Sequence, residues 1–72
     1  MASIETNCFK LAEARIRKGM LPTELAKKAG VSKTAIYNIE KGKYNPTPAL
    51  AKKIIEILEV PYDGIFTIIE GG

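Results

Sequence analysis

The stretch LPTELAKKAGVSKTAIYNIEKG, residues 21–42, constrains this chain more than any other, because Gly30 divides it into two segments too short to fold apart. Pro22 suits the first position of a helix, where its missing N–H would be unbonded and its fixed φ is already helical. From there Leu25, Ala26 and Ala29 recur at three- and four-residue intervals as a short apolar stripe. Gly30 then ends the helix by supplying the left-handed conformation of a sharp turn, and Val31 plugs the corner. Ser32 is placed to cap a second helix, its hydroxyl accepting from an N–H two or three residues on. Ile36 and Ile39 fall on one face of that helix; Lys33, Thr34, Tyr37, Asn38 and Lys41 fall largely on the other, and Gly42 stops it. A helix of about nine residues with one narrow apolar edge is marginal in water. Its neighbours must clamp it, leaving a polar, basic face outward.

Length and composition leave room for one such scaffold. Seventy-two residues make one domain, and 46% hydrophobic content allows a small core of modest stability. The net charge of +3 favours a polyanionic partner, but only its distribution can carry the argument. Cys8 is the only cysteine and there is no histidine, so neither an internal disulfide nor a zinc set is expected, and a reduced, cytoplasmic setting fits. No cofactor is expected. No apolar run approaches the ~18 residues of a bilayer span, and no basic segment followed by an apolar run opens the chain. No nucleophile and base pair can be named, which argues against an enzyme.

The remaining segments supply the clamp. Residues 1–5 read as a flexible N-terminal tail. Thr6 or Asn7 can cap a first helix to about Lys18, with Cys8, Leu11, Ala12, Ala14, Arg15 and Ile16 inward and Gly19 closing it. Arg15 lies among apolar neighbours, where an unpaired charge is costly. After the turn-rich segment 43–46, Thr47 caps and Pro48 opens a helix whose stripe is Ala49, Leu50, Ile54, Ile55, Ile57 and Leu58, with Lys52 and Lys53 outside. Val60 and Pro61 end it. Beyond them the reading divides. Tyr62, Asp63 and Gly64 can form one turn before Ile65 and Phe66 return to the core, leaving a flexible tail. Alternatively, the β-branched run that follows is a strand. Its edge would then need a partner, such as the same strand of a second subunit. The boundaries are thus a tail at 1–5, a domain at 6–66, and a tail or dimerisation strand at 67–72.

The order LAxxxGVSxxxIxxIExG, from Leu25 to Gly42, resembles the helix-turn-helix of the phage repressor and Cro class, also called the XRE family, and the likeness extends from about Leu11 to Phe66. It implies an all-α, compact, lambda-repressor-like domain of four to five helices, the second helix of the pair lying in the DNA major groove. The resemblance also implies that Lys33, Thr34, Tyr37 and Asn38 read bases, and that Arg15 pairs with Glu40 to tie the recognition helix to the scaffold. Lysine can donate to guanine O6 and N7, Asn38 can pair with adenine N6 and N7, and Thr34 offers a hydroxyl or a methyl. Thr23, Ser32, Lys41, Lys43, Tyr44 and Asn45 flank that helix as phosphate contacts. Leu21 and Pro22 depart from the family pattern, which places Ser or Thr and then Gln there, so the usual phosphate clamp must come from Thr23, Lys27 or Lys28.

The function expected from this resemblance is sequence-specific binding of double-stranded DNA by a small transcriptional regulator, a repressor acting as a homodimer. No membrane and no small-molecule ligand is indicated. The alternative is a protein-interaction adaptor that keeps the fold without reading DNA, and it predicts binding insensitive to salt.

Overall fold

Four polar side chains set where the helices begin. In the computed structural model, which describes residues 2–71, Asn7 Oδ1 accepts from Lys10 N–H at 3.1 Å and opens α1 (Cys8–Arg17). Leu21 precedes α2 (Pro22–Ala29) and has no side-chain oxygen, so Glu24 Oε1 accepts instead from the Leu21 N–H at 3.0 Å. Ser32 Oγ accepts from Ala35 N–H at 3.2 Å ahead of α3 (Lys33–Glu40), and Thr47 Oγ1 from Leu50 N–H at 3.3 Å ahead of α4 (Pro48–Leu58). Each bond satisfies a donor that the helix itself leaves unbonded. At Gly30, φ is 75°, and the turn returns Val31 N–H to the Ala26 carbonyl at 3.0 Å.

The four helices close on one core. Leu11, Leu25, Ala26, Ile36, Ile39, Ala51, Ile54, Leu58, Ile65 and Phe66 form a continuous buried cluster. Each large aliphatic side chain buried there contributes roughly 1.5–3 kcal/mol relative to exposure. Ile16 was expected inward, yet it is 64% exposed. The inward line of α1 is Leu11, Ala14 and Arg15, and Ile16 is rotated from Arg15 by about 100° around the helix, past the edge of that line.

The chain ends correct one further expectation and decide an open one. Residues 2–5, read as a loose tail, belong to strand β1 (Ala2–Thr6), which pairs antiparallel with β2 (Phe66–Glu70) so that Thr6 faces Phe66 and Ile4 faces Ile68. Met1 lies outside the described residues. Of the two readings of the C-terminal segment, tail and strand, the structure shows the strand, and β1 of the same chain pairs with it where the sequence reading had offered a second subunit as one possible partner. Ile4 packs against the core and anchors the pair. Between α4 and β2, Tyr62–Gly64 form the single turn that the sequence suggested, in 3-10 geometry. The core returns through Ile65 and Phe66, and the Phe66 ring lies 5.3 Å from that of Tyr62.

Candidate nucleic-acid interface

Helix α3 is held at its start, along its length and at its end. Ile36 and Ile39 are fully buried beneath it. Arg15 Nε donates to Glu40 Oε2 at 2.8 Å and Nη2 donates to Oε1 at 3.1 Å, a two-pronged pair, while Nη1 donates to the Met20 carbonyl at 2.7 Å. Both side chains of the pair are only 12% exposed. A guanidinium matches a carboxylate through parallel N–H bonds, so this contact fixes orientation as well as distance. The Tyr44 hydroxyl donates to the Ala35 carbonyl at 3.3 Å, on the first turn of α3. At the far end Gly42, with φ 77°, lets Lys43 N–H reach the Asn38 carbonyl at 2.9 Å. A Cβ at Gly42 would stand 3.5 Å from Cys8 Sγ, and that thiol in turn faces the Ile39 carbonyl at 3.4 Å.

What remains outward is polar. Lys33 and Thr34 are exposed, Tyr37 is 41% exposed and Asn38 is half-buried, and their spacing places all four along one face of α3. Charge follows the same division. Lys10 and Arg17 share Glu13, and Lys18 meets Glu59 at 3.0 Å, so each basic residue on the outer side of α1 has a carboxylate beside it. Among the described residues, no carboxylate lies within 4 Å of Lys27, Lys28, Lys33, Lys41 or Lys43. Apart from Lys52 and Lys53, exposed on α4 and likewise without a carboxylate neighbour, the unneutralised lysines among the described residues thus gather on and beside the helix pair.

Two of the flanking residues have structural duties that the sequence did not disclose. Tyr44 braces α3 through its hydroxyl, and Asn45 Oδ1 accepts from Thr6 N–H at 3.1 Å, joining the loop to β1. Ser32 uses its oxygen as the α3 cap. Thr23, Lys41 and Lys43 are exposed at the surface. The Met20 carbonyl under Arg15 was also unforeseen; the turn at Gly19, φ 71°, carries it back to α1.

Residues 11–65 match the helix-turn-helix family. The chain belongs to that family. An uncharacterized helix-turn-helix transcriptional regulator of Archaeoglobus fulgidus is 42% identical to it over 57 residues, 79% of this chain and 81% of that protein. The transcriptional repressor RghR of Bacillus subtilis is 39% identical over 57 residues, covering 78% of this chain and 42% of the repressor. Among solved structures, the N-terminal DNA-binding domain of SinR from Bacillus subtilis superposes with a TM-score of 0.72 at 32% identity, over 78% of this chain and 83% of that one. The family match takes in most of α1 and all of α2, α3 and α4, and this helix-turn-helix protein shares its fold with the SinR domain.

Proposed function

We propose that this protein binds double-stranded DNA sequence-specifically as a transcriptional repressor, placing α3 in the major groove. Membership of the helix-turn-helix family and likeness to the SinR domain support DNA-binding transcriptional regulation. The observation that carries the finer reading is the outward face of α3. It presents Lys33, Thr34, Tyr37 and Asn38 on a helix whose position is held by Arg15, Glu40, Ser32 and Tyr44. Directional side chains on a rigid helix are what base-edge recognition requires. Lys41 and Lys43, with Thr23 and the hydroxyl proton of Ser32, take the phosphates on either side and set the register. Tyr44 and Asn45 act chiefly by holding that surface in shape. A homodimer then reads a two-fold site with half-sites about one helical turn, ~34 Å, apart. Repression follows from occupying a promoter in the cytoplasm and needs no catalysis.

The deciding experiment is selection from a randomised duplex library at about 150 mM salt, where nonspecific phosphate attraction is weakened. A two-fold symmetric consensus is the expected result. Retention without enrichment, fading as salt rises, would leave only a nonspecific basic face. The adaptor reading rests on Leu21, 62% exposed at the head of α2. It would stand if a protein, and no duplex, were bound equally at low and high salt.

A further inference from the structure

Arg15 turns toward α3, and Arg17, about 160° from it around α1, lines a cleft on another side of the helix. The opposite wall is the chain from Leu58 to Ile65. Glu59 makes that wall: at φ 56° it adopts the left-handed conformation, ends α4 and returns Val60 N–H to the Ile55 carbonyl at 3.2 Å. Its carboxylate meets Lys18 Nζ at 3.0 Å, a bridge from α4 to the end of α1. The cleft holds about 390 Å³, within the roughly 300–1,000 Å³ of small-ligand pockets. Its floor is apolar, formed by Ala14, Leu58, Val60, Pro61 and Ile65. Its rim is cationic. Lys10 and Arg17 lie 3.5 and 3.7 Å from Glu13, farther than the ~2.7–2.9 Å of a charge-assisted hydrogen bond. Their side chains are 53% and 78% exposed, so their donors remain open to a second acceptor.

We propose that this cleft binds a small amphipathic carboxylate, an aryl or medium-chain alkyl acid, with its apolar body on the floor and its carboxylate between Lys10 and Arg17. Charge selects the acid. Lys10, Arg17 and Lys18 face two carboxylates, Glu13 and Glu59, which leaves one positive charge in excess at the rim. A monoanion cancels that excess and turns the group of Lys10, Arg17 and Glu13 into two cations with two carboxylates. The Arg17 guanidinium offers parallel donors that fit a carboxylate. A neutral apolar molecule gains the floor but leaves those donors unused, and a cation meets repulsion. The apolar area lies recessed between two walls and is of small-molecule size, which favours a small acid over a helix of another protein. None of Lys33, Thr34, Tyr37 or Asn38 lines the cleft, so its occupant leaves the outward face of α3 free.

The test titrates the full chain, without DNA, with sodium octanoate and sodium 4-phenylbutyrate, following backbone amide shifts by NMR. The shifts should saturate and concentrate at Ala14, Arg17, Val60 and Gly64. Octanol and octylamine should bind at least about tenfold more weakly than octanoate, the worth of a hydrogen bond to a charged group, and acetate, which has no apolar body, should not saturate. Arg17→Gln should weaken octanoate by about the same tenfold with an unchanged helical signal in circular dichroism, and Val60→Asp, which sets a carboxylate on the floor, should abolish binding. Lys43→Gln, beyond α3, should leave octanoate binding as it is. Shifts centred on Lys33, Lys41 and Lys43 would mean attraction of any anion to the basic face and overturn the site. Octanol binding as tightly as octanoate, or an Arg17→Gln variant that loses nothing, would overturn the acid. A glutamate-rich amphipathic peptide that moved the same amides at lower concentration than either acid would replace the small molecule by a protein partner.

Discussion

Helix α3 rests on the core along one side and strand β2 only through Phe66, and the two manage the exposure of the rest in opposite ways. The buried side of α3 is narrow, only Ile36 and Ile39, so side-chain bonds from Arg15, Ser32 and Tyr44 hold it and its open face is free to be polar. Strand β2 is held by a backbone ladder to β1, and it exposes an isoleucine on each face, Ile68 on one and Ile69 on the other. A polar face on a fixed helix suits recognition of hydrogen-bonding groups. The isoleucines of β2 offer no such groups.

Removing a brace from α3 should cost most. Glu40→Ala leaves the Arg15 guanidinium largely buried and without its carboxylate, and urea melts should show a loss of about 3 kcal/mol; a loss below about half a kcal/mol would mean that the pair behaves as an exposed one. On the outward face, Asn38→Ala should cost about 1–3 kcal/mol against the preferred duplex and relax preference at one base position. Lys43→Ala should instead weaken all duplexes alike and lower the salt slope by about one unit. Equal weakening across sequences by Asn38→Ala would remove that residue from the base-reading set.

Smaller effects bear on the sheet. Asn45→Ala removes the acceptor for Thr6 N–H and should destabilise by about 1 kcal/mol, with faster amide exchange in β1 than in α3. Uniform acceleration in both elements would show that the loop supports the whole domain and not the strand. Tyr44→Phe takes away a single exposed hydrogen bond to α3, and a loss of about 0.5 kcal/mol is expected in thermal melts. Thr6 Oγ1 is buried with no hydrogen-bond partner, so Thr6→Val, which keeps the shape and deletes the orphan hydroxyl, should raise the melting temperature slightly; a lower one would place a bound water on that oxygen.

Local chemistry made much of this protein legible in its sequence. Gly30, Ser32, Gly42, Thr47 and Pro48 act through bonds and dihedrals spanning a few residues, and the helix ends fall where these residues place them. The polar face of α3 follows from the same short-range periodicity. The resemblance, and not the spacing, pointed to Arg15 with Glu40, because an ion pair 25 residues apart leaves no periodic trace. Only tertiary structure could decide the rest. Whether ASIET is a tail or a strand depends on a partner more than sixty residues away, and its five residues carry no pattern strong enough to declare themselves. Tyr44 and Asn45 look like free polar groups in a loop until packing brings Ala35 and Thr6 to them. Helix caps are decided by neighbours in the chain, whereas strand edges and loop braces are decided by neighbours in space.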